Sequence, residues 1–456
     1  MNTIGKYKIR GLLGRGGMGK VYKVELPVIR KIAALKLLSP NPHLVHLMGE
    51  NAIRDLFISE AVTMSNLRHP HIVEVWNFDE TKDGKLFYAM DYYFNNLGIM
   101  IGESYITEAS SRIIKLDKAI KYTRQILLGL SCLHHFDIVH RDIKPFNILV
   151  TDLDTIKICD FGLSKLRGED FKGPENLKVG SPWYAAPEQE AKPDKVDRRA
   201  DIYSVGIMLY RMLTGELPAE NYEKPSKINA DLDHTWDAFI ARAIATEPRN
   251  RFGDANQMIK ELDHLDNAWK EKKENICKIA PESVDVKKHP CTSINLRSHA
   301  VKVNPQRGRD VFSVNQLWQP TCYIENNFQK PANGTVTDKA TGLIWQRSGS
   351  EYPLTWPQAH EYIEKLKQNH FAGYYHWRLP TIEELMSLLT PTPHGEDFCM
   401  EPMFDSRQKW LWSCDKRSYM AAWYVSADMG FVSWQDFSAY YYVRGVCGDI
   451  PFDADF

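Results

Sequence analysis

The sequence predicts an α+β chain: a bilobal first unit, a linker, and a smaller α+β unit toward the C-terminus. Three observations carry this. Strand-like alternation fills the chain up to Tyr92, helix-like periodicity takes over from Leu116, and Trp, Tyr, Gly and Asn become frequent from Trp318 onward. At 456 residues the chain exceeds one ordinary domain, and 43% hydrophobic with 25% charged residues is the usual mix for parts that bury cores.

The elements follow in order. Apolar residues alternate around Tyr7 to Leu13, Val21 to Leu26 and Ile32 to Leu38, predicting three strands. A helical pattern over Asn51 to Leu67 precedes predicted strands at Ile72 to Phe78 and Leu86 to Tyr92. Predicted helices then cover Asp117 to His135, Ala200 to Thr214, Asp237 to Ala245 and Asp254 to Lys270. The charged run Lys270-Glu-Lys-Lys-Glu-Asn275 closes this part. The stretch to about Gly308 holds Pro281, Pro290 and Pro305 without periodicity, which is the signature of a linker. The expected boundaries are 1–268, a linker over 269–310, and 311–456.

With 57 basic against 58 acidic side chains, charge gives no reason to expect nucleic acid or an anionic membrane as partner. No apolar run is long enough to span a bilayer, and Met1 to Lys8 lacks the apolar core of a signal peptide. The expected compartment is the cytoplasm. None of the eight cysteines forms a Cys-x-x-Cys pair, so local spacing supports no zinc site, and free thiols are expected.

Chemistry enters with Gly14-Arg-Gly-Gly-Met-Gly-Lys-Val21, a G-x-G-x-x-G-x-V string between two predicted strands. Gly14, Gly16, Gly17 and Gly19 would let backbone amides approach a phosphate, although a glycine-rich turn explains the string equally well alone. Lys36 sits in the apolar run Ala33-Ala34-Leu35-Lys36, where an ammonium needs an anionic partner, and Glu60 is the candidate. His140-Arg141-Asp142-Ile143-Lys144-Pro145-Phe146-Asn147 follows, then Asp160-Phe161-Gly162, then Gly180-Ser181-Pro-Trp-Tyr-Ala-Ala186-Pro187-Glu188.

In order and spacing these strings are similar to the motifs of the protein kinase superfamily, and the glycine string most resembles bacterial members of its serine/threonine group. The resemblance spans Ile4 to Asp266 and implies ATP and Mg²⁺ (or Mn²⁺) as cofactors. It implies that Lys36, held by Glu60, contacts the α- and β-phosphates. Asn147 and Asp160 would hold the metal, Asp142 would orient the substrate hydroxyl, and Lys144 would touch the γ-phosphate. Val21 and Ala34 would cap the adenine, with Met90 as gatekeeper and Asp91 to Tyr93 as hinge. Asp201 would brace the catalytic loop, and Glu188 with Arg251 matches a buried ion pair. The rival reading is a nucleotide-binding pseudokinase scaffold, although none of the residues usually lost in such proteins is lost here.

One departure stands out. Arg141 precedes the catalytic Asp142, where an arginine usually binds a phosphorylated loop residue, yet Lys165 to Gly180 contains no Ser, Thr or Tyr. Glu169, Asp170 or Glu175 could supply the charge instead, or could be solvated loop surface. Cys159 is expected to be a buried small side chain rather than a redox switch.

The second unit shows Asn333-Gly-Thr-Val-Thr-Asp338, Thr341-Gly-Leu-Ile-Trp345, Trp356 with Ala359 and Leu366 at helical spacing, and Trp377-Arg-Leu-Pro-Thr381 before Glu384. Trp412-Ser413, Asp428 with Gly430, and Tyr442-Val-Arg-Gly-Val446 complete it. Over Asn333 to Cys447 it resembles the C-terminal domain of the Legionella collagen-like adhesin. That resemblance implies a C-type-lectin-like fold that binds a protein or glycan ligand or recruits a protein substrate. A third reading is therefore a lectin-like binding protein regulated by its own kinase domain. Trp410 to Tyr442 is dense in aromatics, either as core or as a recognition surface. If Tyr440 to Tyr442 is extended, at least one of these tyrosines faces away from the core.

Overall fold

The computed structural model describes residues 3–103, 109–160, 182–191, 195–219, 221–278, 296–329, 333–394 and 397–448. It divides into two compact units, 1–279 and 280–456.

The first unit opens with a six-stranded antiparallel sheet of β1 (Thr3–Ile4), β2 (Tyr7–Arg15), β3 (Gly19–Glu25), β4 (Ile32–Leu38), β5 (Val75–Glu80) and β6 (Leu86–Asp91) in the order β1-β2-β3-β4-β6-β5. Its register decides the site. Val21 pairs with Lys36 and Lys36 with Tyr88, while Ala34 pairs with Met90. Residues directly opposite one another share a face, as do residues two apart, so Val21, Ala34, Lys36, Tyr88 and Met90 all lie on one side. The helix Glu50–Asn66 directs Ile53, Phe57, Glu60, Ala61 and Met64 inward, at spacings of three and four.

The helical part is built on Leu116–His135, Arg199–Thr214, His234–Ala243 and Ala255–Lys278. Arg199–Thr214 is buried almost all round, so it acts as a central post rather than an amphipathic surface helix. Between the two parts runs the irregular segment 139–147, followed by the short strand pair Ile148–Val150 and Ile156–Ile158.

The second unit holds two three-stranded antiparallel sheets: Thr335–Asp338, Leu343–Gln346 and Val446–Gly448 in one, and Trp410–Lys416, Ala421–Ser426 and Phe431–Asp436 in the other. Trp345, Trp377, Trp412 and Trp423 are fully buried. Three of their indoles peg irregular backbone, donating to the carbonyls of Phe371 at 3.0 Å, Leu354 at 2.9 Å and Val303 at 3.0 Å. Helix Trp356–Gln368 buries Trp356, Ala359, Ile363 and Leu366.

Two expectations need correction. The linker, expected over 269–310, is structured at both ends. Helix Ala255–Lys278 continues through 269, where the Trp269 indole donates to Asp117 at 3.2 Å. At the other end Arg297 pairs with Asp415 at 2.8 Å, and Pro305 begins the helix Pro305–Val311 behind an Asn304 cap. Proline is tolerated in the first helical turn, so it marked a start rather than a loop. Residues 279–295 lie outside the described residues. Second, Cys322 is disulfide-bonded, against the expectation of free thiols. Folding joined two sulfurs whose spacing along the chain carried no signal. Cys132, Cys159, Cys399, Cys414 and Cys447 form no disulfide, and no helix among the described residues is long and apolar enough to cross a membrane.

Candidate active site

Lys36 stands on the cleft-facing side of β4 with only 9% of its side chain exposed. Its Nζ lies 2.8 Å from Glu60 Oε1 and 3.0 Å from Asp160 Oδ1. The Tyr88 hydroxyl, placed opposite Lys36 by the register, donates to the same Glu60 oxygen at 2.9 Å. Burial works against the Lys36 ammonium, but Asp160 and Glu60 outweigh it and hold its pKa well above the ordinary value. Lys36 in turn keeps the Asp160 carboxyl below the usual aspartate range, against the opposing effect of burial. Asp160 is 39% exposed, so its charge faces the cleft.

The glycine string separates into two kinds of position. A side chain on Gly19 would place its Cβ 2.4 Å from the Leu37 carbonyl oxygen, so packing alone demands glycine there. At Gly14 nothing lies within 4 Å, and at Gly16 and Gly17 the nearest atoms are at 4.0 and 3.9 Å. The fold does not require those three, and the open space above them suits a ligand that backbone amides must reach.

Across the cleft, Lys144 Nζ meets Asp142 Oδ2 at 2.7 Å, and Asn147 Nδ2 donates to the Asp142 carbonyl at 2.8 Å and to Oδ2 at 3.1 Å. With Nδ2 occupied, the Asn147 carbonyl oxygen is its remaining group, an acceptor suited to a cation. Asp201 is completely buried and accepts from the backbone N–H of His140 at 2.9 Å and of Arg141 at 2.7 Å. Burial opposes its ionisation, yet the His134 ring at 2.9 Å and these donors bring its pKa below the ordinary value. Arg141 and Asp160 both have positive φ, 62° and 66°. Left-handed backbone costs an ordinary residue roughly 1–2 kcal/mol, so the surroundings must impose it.

The expected Glu188–Arg251 pair forms two parallel hydrogen bonds of 2.6 and 2.7 Å. Expected site residues Val21, Ala34, Met90 and Asp91 fall on the sheet as described, with Tyr93 directly after it. Cys159 is half-buried and burial pushes its thiol pKa far up, so it stays protonated. Phe161, Gly162, Glu169, Asp170, Glu175 and Ser181 lie outside the described residues.

Three contributors escaped the motif reading. Tyr88 was legible in principle, because strand alternation puts it on the face of Met90. Glu103 accepts from the Tyr184 hydroxyl at 3.0 Å and lies 3.4 Å from Arg211, a network that only the tertiary fold assembles. Gln189 bridges two segments through its side-chain amide.

Comparison with known proteins separates the chain along the same line. The family model "Protein kinase domain" matches residues 7–281, and "Lcl C-terminal domain" matches residues 334–447. The serine/threonine-protein kinase pkn3 of Myxococcus xanthus is 31% identical over 287 residues, covering 57% of this chain and 50% of that protein. Serine/threonine-protein kinase PksC of Streptomyces coelicolor is 34% identical over 274 residues, covering 56% and 48%. The chain thus spans about half the length of these curated relatives.

Proposed function

This chain belongs to the protein kinase family, carrying a bacterial-type serine/threonine kinase domain over more than half its length, and from that premise we propose that it transfers the γ-phosphate of ATP to serine and threonine hydroxyls of protein substrates. The observation that carries the proposal is the closed set of contacts from Glu60 through Lys36 to Asp160, facing Asp142, Lys144 and Asn147. Phosphoryl transfer asks chiefly for positioning and charge neutralisation, and these six residues supply both.

In this reading Lys36, straightened by Glu60, takes the α- and β-phosphates, and the open glycines Gly14, Gly16 and Gly17 lie over them. Val21, Ala34 and Met90 line the adenine side, with Asp91 to Tyr93 as hinge. Asp160 and the side-chain carbonyl oxygen of Asn147 are hard oxygen donors and would hold Mg²⁺ or Mn²⁺. When bound, that ion neutralises charge on the transferring group. Asp142 accepts a hydrogen bond from the incoming hydroxyl and orients it, while Lys144 moves from Asp142 toward the γ-phosphate. The requirement for ATP supports a cytoplasmic setting.

For the second unit we propose a binding role, of C-type-lectin-like fold, toward a protein or glycan ligand or toward a substrate of the kinase domain. What supports it is the likeness to the Lcl C-terminal domain and the exposure of Tyr419 and Tyr440. Radiolabel transfer from ATP to a generic basic protein tests the kinase proposal. The parent should label it on Ser and Thr and Asp160→Ala should not. Equal labelling by both, or predominant phosphotyrosine, overturns it.

A further inference from the structure

We infer that Gln189 is a positioning residue for phosphoryl transfer: its side-chain amide ties segment 182–191 to the Arg141–Asp142 peptide and so sets the direction of Asp142. Gln189 is 6% exposed, in the short helix Pro187–Ala191. Its Nε2 donates to the Arg141 carbonyl at 2.8 Å, and its Oε1 accepts from the Ala186 N–H at 3.0 Å. The same peptide is gripped on its other edge, where the Asp142 N–H reaches His140 Nδ1 at 3.2 Å.

Arg141 has a φ of 62°, a conformation that a non-glycine residue leaves when released. Asp201 holds its N–H at 2.7 Å, but that bond leaves the following peptide plane free to turn. Gln189 fixes that plane, and the plane carries Asp142. Gln189 is itself anchored from the helical core. Its neighbour Glu188 is clamped by Arg251 at 2.6 Å, and Ser204 Oγ donates to the Tyr184 carbonyl at 2.7 Å. Among the described residues, order in segment 182–191 therefore reaches the catalytic loop through the Gln189 side-chain amide.

The inference rests on the proposed kinase activity, so its test includes a readout that needs no activity. In the full chain, Gln189→Leu should lower kcat by roughly 10–100-fold while moving the KM for ATP by less than about 2-fold, since Lys36 and Asp160 are untouched. Hydrogen exchange in peptides covering 139–147 should quicken in the same variant. Gln189→Glu adds a signature that a merely structural role would not move. An ionised carboxylate cannot donate to the Arg141 carbonyl, whereas a protonated one can. The ratio of variant to parent kcat should therefore rise as pH falls from about 8 to about 5.5. Should Gln189→Leu fail to fold, this profile decides alone. Parent-like kcat, unchanged exchange in 139–147, or a flat ratio for Gln189→Glu overturns the inference. A parent that transfers no phosphate would instead sink the kinase proposal, and the exchange measurement would still decide the role of Gln189.

Discussion

In the first unit, charge around the cleft comes as opposed pairs that leave a face open: Lys36 with Glu60 and Asp160, and Lys144 with Asp142. In the second unit buried charge serves its own backbone as well as internal pairs. Asp415 accepts from the N–H of Val301 and of Ile382, both at 2.8 Å, and Asp338 from those of Asn327 at 2.8 Å and Ala340 at 3.0 Å. Arg444 lies fully buried with no salt bridge among the described residues. It donates to the Gln346 carbonyl at 2.8 Å, the Arg347 carbonyl and Gln408 Oε1 at 2.7 Å, and burial draws its pKa down to about 9. Both units contain conspicuous polar strings in sequence, but the strings differ in kind. Polar residues that face a partly open cleft point to chemistry, whereas those consumed by internal N–H and carbonyl groups build loops.

The strongest way to break this contrast is to remove charge from each unit in turn. Lys36→Met and Asp142→Asn should each cut phosphoryl transfer by about three orders of magnitude, because they delete phosphate neutralisation and hydroxyl orientation. Lys36→Met should also lower the first unit's unfolding midpoint, because it leaves Glu60 buried without its partner, whereas the near-isosteric Asp142→Asn should unfold close to the parent. Transfer surviving in both would remove the chemical role assigned to the open pairs.

The matching change in the second unit is Glu384→Ala. Glu384 is buried, takes Arg378 Nη1 at 2.6 Å, and completes a reciprocal cap with Thr381, whose N–H it accepts at 2.9 Å. The Trp377-Arg-Leu-Pro-Thr381 string is thus a device for starting the helix Ile382–Ser387. Breaking a buried pair from one side costs about 3 kcal/mol. Calorimetry should show the second unit's transition falling while kinase turnover holds. Lost turnover with an unmoved transition would mean that this string serves the kinase reaction rather than its own fold.

This difference also governs what could be read without coordinates. The first sheet was legible because its strands alternate, and helix Glu50–Asn66 came within one residue at each end. The predicted strand at Ile72 starts at Val75, because Ile72 makes only an isolated bridge to Ile158 beyond Pro70. The Lys36–Glu60 pair was legible because an ammonium in an apolar strand needs an anionic partner, and it forms at 2.8 Å, while Asp142, Lys144, Asn147 and Asp160 were singled out by motif spacing. Gln189 and Glu103 were not, since their partners lie far away in sequence. In the second unit alternation fails for a physical reason: all six residues of Ala421–Ser426 are buried, so both faces of that strand are core. The aromatic segment reads largely as core for the same cause, with Trp410, Trp412, Trp423, Tyr424 and Tyr441 all buried.

Acid sharpens the contrast by a smaller amount. Asp160 and Asp201 both have pKa values below their ordinary 3.8, the first through Lys36, the second through His134 and backbone donors that overcome its burial. A lowered carboxyl contributes stability above the ordinary value and loses it as pH falls through the folded one. Glu383, in the second unit, has the opposite sign: burial raises its pKa above the ordinary 4.5. Its contribution favours folding more as pH falls through that raised value. The first unit also holds His69 and His71, whose pKa values burial lowers from 6.5, so its denaturant midpoint should begin to fall below about pH 6.5 and fall again below about pH 4 as Asp160 and Asp201 protonate. A first-unit midpoint that falls no further between about pH 4 and 2 would contradict the pairing described for the cleft.

The smallest effect concerns Tyr419 and Tyr440, two of the aromatics that the second unit leaves exposed alongside Tyr352 and Tyr375. Tyr440 is 49% exposed while its neighbour Tyr441 is buried and bridged to Leu354, so extended backbone turns these tyrosines to opposite sides. Tyr419 is 85% exposed and its ring carries Lys302 Nζ at 3.3 Å from the centroid, an exposed cation–π contact of about 0.5–1 kcal/mol. Tyr440→Ala should shift the second unit's stability by less than about 0.5 kcal/mol, and Tyr419→Ala by no more than about 1 kcal/mol. Tyr441→Ala, which empties a core site, should cost about 3 kcal/mol or more. That ordering separates recognition from packing. If Tyr419 and Tyr440 face a ligand, their alanine variants lose capture on a glycan or peptide array while the unfolding midpoint barely moves. If instead their loss lowers the midpoint as much as that of Tyr441, Tyr419 and Tyr440 belong to the core rather than to a recognition surface.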